Sequence, residues 1–227
     1  MKKLSIIVPM LNEADAISRT LIALRRGAPD AEIVVVDGGS ADPSVRLAES
    51  LCDRVFAVSR GRARQMNAGA KLTRGDALAF VHADTIVPAS FGADIAGALS
   101  DPAVVGGRFD VELDSSALPY RIIGAMISIR SRLSRTGTGD QAIFVRRDVF
   151  ERLGGFPELD LCEDLEFARR LKRAGRIACL RSRVITSARR WNRDGLARTV
   201  IRMWMIRAMY LMGVSPARLK RMYADTR

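Results

Sequence analysis

The sequence has few cysteines, a single histidine and no long hydrophobic run. Its three cysteines, Cys52, Cys162 and Cys179, are odd in number and form no C-x-x-C spacing. This pattern indicates neither a disulfide framework nor a zinc site, and it fits a reducing cytoplasm. The most apolar later stretch, residues 199–214, is interrupted by two arginines and falls short of the ~20 residues that cross a bilayer. We therefore expect no transmembrane helix.

The first apolar run does not have the features of a secretion signal. Residues 4–11 are apolar, but Pro9 interrupts them, and Asn12-Glu13 end them without a clear cleavage site. We interpret this segment as a buried first strand rather than as a signal peptide.

Acidic residues are scarce toward the carboxyl end. The chain of 227 residues has a net charge of +12, but residues 169–227 contain 17 basic and only 2 acidic side chains. Such a local excess favours a negatively charged partner: a membrane surface, a phosphorylated substrate or nucleic acid. A solvated basic face is the commoner explanation and remains open here.

Composition and hydrophobic periodicity predict one α/β domain. A chain of this length with 48% hydrophobic and 27% charged residues can bury one sizeable core. Apolar runs rich in β-branched residues alternate with stretches of helical periodicity, which is typical of βαβ units around a parallel sheet. Asn12 is expected to cap the first helix. The first four apolar runs are at residues 4–8, 32–36, 55–58 and 77–81.

The second half of the chain has a mixed pattern. It predicts strands at residues 104–113 and 141–145 and helices at 119–134, 165–174 and about 196–212. We therefore expect a Rossmann-like, mostly parallel central sheet flanked by helices, with a helical extension at the carboxyl end. Residues 1–191 would form the α/β domain, and residues 192–227 a basic and apolar extension of the same structural unit.

Polar residues that directly follow the predicted strands are the first candidates for a functional site. In an open parallel sheet, ligands bind in the crevice beyond the carboxyl ends of the strands. Asp37, with two glycines behind it, follows the second strand, and His82 and Asp84 follow the fourth. If these strands are neighbours, both carboxylates converge on one crevice.

Each of these residues has a structural interpretation beside the functional one. The carboxylate of Asp37 can accept hydrogen bonds from a ribose hydroxyl or a base N–H, but Asp-Gly is also a common turn dipeptide. Asp84 suits a hard divalent cation shared with phosphate oxygens, although a lone Asp before a helix is usually a cap. His82 is the only histidine. Such a residue is more often structural, but alternate residues leaving a strand can reach one site.

Two further segments place charge at predicted helix starts. Residues 61–70 open with a glycine followed by Arg62 and Arg64. A helix N-terminus with forked arginine donors favours phosphate, and a solvated basic turn is the alternative. Glu163 and Asp164 stand at the start of a later helix, where the helix dipole alone stabilises acids. A carboxylate there also stays ionised near neutral pH, as a base that accepts a hydroxyl proton must.

Taken in order, these motifs resemble those of the inverting nucleotide-sugar glycosyltransferases of family 2, which have the GT-A fold. The resemblance extends over roughly residues 4–191. It rests on six segments in the family's order: residues 5–13 (SIIVPMLNE), 34–40 (VVVDGGS), 61–70 (GRARQMNAGA), 80–85 (FVHADT), 154–156 (GGF) and 163–164 (ED). The GRARQMN and HADT segments are similar to those of a compact bacterial subgroup whose acceptors are mostly unassigned.

The resemblance implies a role for individual residues. It implies transfer of a sugar from a nucleoside-diphosphate sugar to an acceptor hydroxyl with inversion, with Asp164 as general base and Glu163 supporting it. Asp84, and with less support His82, would hold Mg²⁺ or Mn²⁺. Asp84 would also lie at the nucleotide, together with Pro9, Asn12, Glu13, Asp37, Arg62, Arg64, Asn67 and Ala83.

Two departures from the family pattern limit what the resemblance implies. The usual Asp-x-Asp is His82-Ala83-Asp84 here, so the first carboxylate is missing. The Gln-x-x-Arg-Trp of processive synthases is replaced by Ser-Ala-Arg-Arg-Trp at residues 187–191, which argues against a processive synthase. Arg190 and Trp191 would still close over the diphosphate and the acceptor, or else pack the extension onto the domain.

The carboxyl-terminal extension has three interpretations. Its apolar residues and arginines suit a bilayer interface, at the inner face of the membrane and beside a lipid-linked acceptor. They suit a second subunit of a homodimer or the protein core equally well. Core or dimer packing is slightly favoured, and no nucleic acid is expected as a partner.

Other classes of function remain as alternatives. A sugar-nucleotide pyrophosphorylase would have a Gly-rich loop with a basic residue after its first strand, where this chain has residues 9–13. A non-catalytic membrane- or nucleic-acid-binding protein would use the basic tail and leave the acids at the strand ends unexplained. An NAD-dependent oxidoreductase is excluded because no G-x-G-x-x-G follows a strand.

Overall fold

The computed structural model describes residues 3–222, which form one eight-stranded sheet covered by helices on both faces. The strands are β1 (Leu4–Met10), β2 (Glu32–Asp37), β3 (Arg54–Ala57), β4 (Ala77–Phe80), β5 (Thr85–Ile86), β6 (Val104–Leu113), β7 (Ile143–Arg146) and β8 (Arg176–Thr186). The helices are α1 (Ile17–Gly27), α2 (Ser44–Glu49), α3 (Arg62–Leu72), α4 (Phe91–Leu99), α5 (Leu118–Ser134), α6 (Arg147–Arg152), α7 (Glu163–Ala174), α8 (Arg189–Asp194), α9 (Leu196–Leu211) and α10 (Pro216–Met222).

The sheet is mostly parallel, as the sequence predicts. Its strand order is β3-β2-β1-β4-β7-β6-β8-β5. The neighbours β3, β2, β1 and β4 are parallel, and so are β6 and β8. β7 runs antiparallel to both β4 and β6, and the short β5 runs antiparallel to β8. The α/β fold class is confirmed.

This topology brings distant chain segments to one edge of the sheet. β1, β2, β4 and β8 all end at that edge, whereas β7, which runs the other way, begins there. The residues that follow β1, β2, β4 and β8 are therefore close in space to the turn before β7. Crevices of this kind, beyond the carboxyl ends of parallel strands, are where α/β proteins bind ligands.

The two faces of the sheet bury separate hydrophobic clusters. Successive side chains of a strand point to opposite faces. Ile6 and Val8 of β1 pack with residues of α1, α4 and α5, whereas Ile7 packs with residues of α3, α6 and α7. A strand covered on both sides is apolar at nearly every position, which explains the apolar runs at residues 6–10 of β1 and 33–36 of β2.

The first helix differs from the sequence prediction. α1 begins at Ile17, and its N-cap is Ala16, so the expectation that Asn12 caps it is wrong. Asn12 has a left-handed backbone (φ 52°), and its side-chain oxygen accepts a hydrogen bond of 2.8 Å from the N–H of Ala41. The side chain thereby ties the end of β1 to the loop after β2.

The carboxyl-terminal helices pack on the same core as the sheet. Leu196, Val200 and Met203 of α9 pack against the cluster that includes α1 and α4. The hydroxyl of Tyr210 donates a 3.0 Å hydrogen bond to Glu166 of α7. Within residues 3–222, no helix combines the length and the apolar character that crossing a membrane requires.

Candidate functional site

A cavity of about 500 Å³ lies where β1, β4 and β8 end and β7 begins. The loops after these three strands, the turn before β7 and the start of α7 all contribute side chains to it. Residues that are far apart in the sequence meet there because their strands end at the same edge of the sheet. Nine of the residues that the sequence singles out line the cavity: Asn12, Glu13, Arg62, His82, Asp84, Glu163, Asp164, Arg190 and Trp191.

Arg189 lies between two acidic residues, one after β1 and one after β4, and interacts with both. Its guanidinium forms an ion pair with the buried carboxylate of Glu13 and lies 3.6 Å from Oδ2 of Asp84. The antiparallel pairing of β5 with β8 brings it there, since Thr85 lies opposite Thr186. Burial works to lower the pKa of Arg189, but the hydrogen bond and charge of Glu13, with Asp84, raise it overall. The arginine therefore stays charged and balances both acids.

Asp164 is held in the first turn of α7 by backbone N–H groups. The N–H of Gly139 donates to its Oδ2 at 2.7 Å, and the N–H of Leu165 donates to its Oδ1 at 2.7 Å. The preceding residue, Glu163, is buried and lies 3.5 Å from the guanidinium of Arg62. The helix dipole favours negative charge at this position. The structure thus fixes the orientation of an acidic side chain at the cavity wall.

The turn before β7 also meets the end of β4. A Cβ atom added to Gly139 would lie 2.5 Å from Nε2 of His82 and 3.6 Å from Oδ2 of Asp164. Only glycine leaves room for the imidazole at this distance. The backbone of Gly139 therefore packs against His82 while its N–H holds Asp164.

The cavity contains charged residues that the sequence patterns do not single out. Burial raises the pKa of Asp140; the Thr138 hydroxyl opposes this shift, and the charge of Asp164 adds to it. Burial also lowers the pKa of Arg130 and of Arg207. Each of these two arginines follows an apolar stretch of its helix, α5 or α9, and this is the signal that could have pointed to them. The unpredicted charged residues of the lining are Arg130, Asp140, Arg189, Arg193 and Arg207.

Five predicted residues lie outside the lining of the cavity. Asp37 is buried, and it accepts hydrogen bonds from the N–H groups of Gly39 (2.9 Å) and Ser40 (3.0 Å). It thereby shapes the turn at the end of β2. Pro9 and Ala83 are buried in the segments that carry the nearby polar residues. The five are Pro9, Asp37, Arg64, Asn67 and Ala83.

Asn67 and Arg64 connect α3 to the loop before α7. The side-chain amide of Asn67 donates to the carbonyl of Phe156 (2.8 Å) and accepts from its N–H (2.9 Å). Arg64 forms an exposed ion pair of 3.4 Å with Glu158. These contacts tie the helix that carries Arg62 to the segment that leads into Asp164.

The acidic residues among the charged lining of the cavity include one that fits a divalent cation shared with a diphosphate. Mg²⁺ is usually held by one or two carboxylates, with phosphate oxygens and water as its other ligands, and Mn²⁺ also prefers oxygen ligands. Asp84 supplies one carboxylate, and His82 lines the same cavity. In the part of the chain that the structure describes, no group of three or more His, Cys, Asp or Glu residues forms a metal site. Asp84 could supply one carboxylate to such an ion, and phosphate oxygens and water would have to supply the other ligands.

The sheet topology, with a charged cavity beyond its strand ends, is that of the GT-A fold, which solved structures similar to this chain also have. The family model described as "Glycosyl transferase family 2" matches residues 5–154. The chain belongs to this family.

Individual relatives are consistent with this membership. The chain is 29% identical over 196 residues to the O-antigen chain rhamnosyltransferase RfbN of Salmonella typhimurium, covering 76% of the chain and 62% of that protein. It thus spans about three-fifths of the relative's length. The fold is similar to that of S. aureus TarS in complex with UDP-GlcNAc (TM-score 0.64, 19% identity, 82% of this chain and 58% of the other). It is also similar to the mannosyltransferase PcManGT of Pyrobaculum calidifontis in complex with GDP-Man and Mn²⁺ (TM-score 0.64, 22% identity, 97% and 67%).

Proposed function

We propose that the protein transfers a single sugar from a nucleoside-diphosphate sugar to an acceptor hydroxyl, with inversion at the anomeric carbon. Membership of the family supports glycosyl transfer. The observation that carries the finer proposal is the geometry around Asp164. This carboxylate is held by two backbone N–H groups, in the same cavity as Asp84 and several arginines. The same cavity thus contains a carboxylate that can act as a base and arginines that can bind a diphosphate.

Asp164 acts as the general base in this proposal. Its carboxylate accepts the proton of the acceptor hydroxyl while the hydroxyl oxygen forms a bond to the anomeric carbon. The bond between that carbon and the diphosphate breaks in the same step, and its electron pair leaves with the diphosphate. Because the oxygen attacks the face opposite the leaving group, the configuration inverts. Glu163 supports the base through its contact with Arg62.

Arginines of the cavity lining stabilise the negative charge that the leaving diphosphate gains. Arg62 and Arg190 line the cavity together with Trp191. Fixed cations at the position where negative charge develops stabilise the transition state. Arg190 and Trp191 close over the diphosphate and the acceptor. Asp84, and secondarily His82, would hold a Mg²⁺ or Mn²⁺ ion, which would supply further positive charge at the diphosphate.

The nucleotide is assigned to the side of the cavity formed by the residues after β1, next to the turn after β2. Asn12 and Glu13 line that side, and Asp37 shapes the turn beside it. The remaining residues assigned to the nucleotide are Pro9, Arg64, Asn67 and Ala83.

We favour a lipid-linked acceptor that carries a free hydroxyl group. Met203 and Ile206 of α9 give the cavity an apolar wall on the side where Arg207 approaches Asp164. An apolar wall beside the base suits an acceptor with an apolar portion. The free cysteines support a reducing cytoplasm as the compartment, with the enzyme at the inner face of the membrane.

Nucleotide binding tests the proposal without knowledge of the acceptor. UDP, GDP, dTDP and CDP are each added with and without Mn²⁺ or Mg²⁺, and the thermal unfolding of the protein is followed. One nucleotide should stabilise the protein in a metal-dependent way, by about 2.7 kcal/mol at ~100 times its dissociation constant. Asp84→Asn should reduce this shift, and the control Asp30→Asn, at an exposed position outside the cavity, should not. The absence of any nucleotide-induced shift would contradict the proposal.

A further inference from the structure

Two helices beside the cavity expose rows of large apolar side chains. On α5 they recur every three or four residues and therefore share one side of the helix, and α9 has a second row. Leu133 is 82% exposed and Trp204 is 55% exposed. We call these residues the α5–α9 surface: Leu118, Ile122, Met126, Ile129 and Leu133 on α5, and Ile201, Trp204, Met205 and Leu211 on α9.

The two rows belong to one continuous surface. A shallow groove between the helices is lined by Met126 of α5 and by Val200 and Trp204 of α9. The opposite side of each helix is buried, at Ile127 of α5 and Ile206 of α9. Contiguous apolar surfaces of this kind mark a site of interaction.

The charge of this region is of one sign. α5, α9 and α10 together contain nine arginines and lysines and no aspartate or glutamate. Among residues 3–222, Arg121, Arg198, Arg218 and Arg221 are exposed and form no ion pair. A partner of this surface therefore has to be apolar and negatively charged at the same time.

The surface adjoins the candidate active site. Arg130, Trp191, Met203 and Arg207 line both the groove between α5 and α9 and the large cavity that contains Asp164. A partner that lies on the α5–α9 surface is therefore at the wall of this cavity.

We propose that the α5–α9 surface binds the surface of an anionic lipid bilayer. Ile, Leu, Met and Trp side chains enter the region between headgroups and acyl chains, and the exposed arginines contact lipid phosphates. The proposed contact is peripheral, because it uses exposed side chains on one side of α5 and α9 whose opposite sides pack in the protein. A second copy of the chain is a poorer partner, because a symmetric pair of these surfaces would bring cations against cations.

Tryptophan fluorescence gives a direct measurement of this binding. The chain has two tryptophans, of which Trp204 is exposed on the surface and Trp191 is buried. Vesicles of phosphatidylcholine with phosphatidylglycerol should shift the emission of Trp204 to shorter wavelength, and vesicles of phosphatidylcholine alone should do so weakly. In Trp204→Phe the shift should disappear, while co-sedimentation with the anionic vesicles remains.

Matched variants separate the two components of binding. The double variant Ile122→Ser, Ile129→Ser should lower vesicle affinity by about tenfold or more through lost apolar burial. The control Ile22→Ser, Leu72→Ser, at exposed apolar positions elsewhere, should leave affinity unchanged. Arg198→Gln should weaken binding about fivefold, since each cation near an anionic surface contributes about 1 kcal/mol.

Two results would overturn the proposal. One is the absence of co-sedimentation of the folded wild-type protein with anionic vesicles. The other is a dimer in solution that the variant Ile122→Ser, Ile129→Ser dissociates, because the surface would then be an interface between copies. Vesicle binding needs neither nucleotide nor acceptor, so its failure is distinct from a failure of the proposed transfer reaction.

Discussion

Replacing Arg189 with methionine should destabilise the protein by removing the cation that balances two acids of the cavity. Breaking a fully buried ion pair costs about 3–5 kcal/mol, whereas an exposed pair contributes about 0–1 kcal/mol. The Glu13 side chain is 7% exposed and that of Arg189 is 53% exposed. Solvent therefore screens one partner but not the other, and we expect a loss of about 1–3 kcal/mol in the free energy of unfolding, between these limits.

Urea unfolding at neutral pH measures this loss. The control is Arg183→Met, which removes an ion pair with Glu112 whose two side chains are both exposed, at 63% and 44%; its cost should stay within about 1 kcal/mol. Adding Glu13→Gln to Arg189→Met should recover part of the loss, because the buried charge disappears together with its partner. Equal losses for the two arginine variants, or no recovery with Glu13→Gln, would refute the reasoning.

Three further substitutions test packing and charge. Gly69→Ala should lower the free energy of unfolding by about 1–3 kcal/mol, since the new Cβ would lie 2.4 Å from a side chain of β1. The control is Gly97→Ala, where the new Cβ has open space around it. An equal effect of the two substitutions would contradict the packing argument. The raised pKa of Asp140 means that stability should fall as pH rises from its unfolded pKa through its folded pKa. Asp140→Asn should reduce the pH dependence of the free energy of unfolding, measured by urea unfolding at pH values below and above these two pKa values. An unchanged pH dependence would exclude Asp140 as its source. Gly139→Ala should slow sugar transfer, because the new Cβ collides with His82 and the backbone N–H of this residue holds Asp164. Normal transfer rates would refute this.

Most of the first half of the fold could be predicted because β1, β2 and β4 are buried on both faces. β1 and β2 are apolar at nearly every position and are separated by helices with one apolar side, so the pattern alone predicts parallel βαβ units. β8 was not predicted. Its buried and exposed positions alternate only near its end, and arginines occupy several of the exposed ones. A strand next to the sheet edge has little apolar pattern to detect.

The acids of the candidate site could be predicted from their positions at strand ends, but their partners could not. Asp84 and Glu13 follow parallel neighbours, so their proximity follows from the topology. Arg189 reaches them only through the pairing of the two-residue β5 with β8. Asp140 reaches Asp164 because β7 runs antiparallel and begins at the site edge. Such long-range pairings have no local signal in the sequence.

The most direct test of the account compares Asp164→Asn with the wild-type protein in two assays. Transfer or donor hydrolysis is measured as release of nucleoside diphosphate, and nucleotide binding as the thermal shift in the presence of metal. The account predicts a loss of about 10²–10⁴ in rate, which is the usual contribution of a positioned base, with an unchanged thermal shift. Asp30→Asn, at an exposed position outside the cavity, should leave both unchanged. A normal rate of release by Asp164→Asn would contradict the assignment of Asp164 as the base.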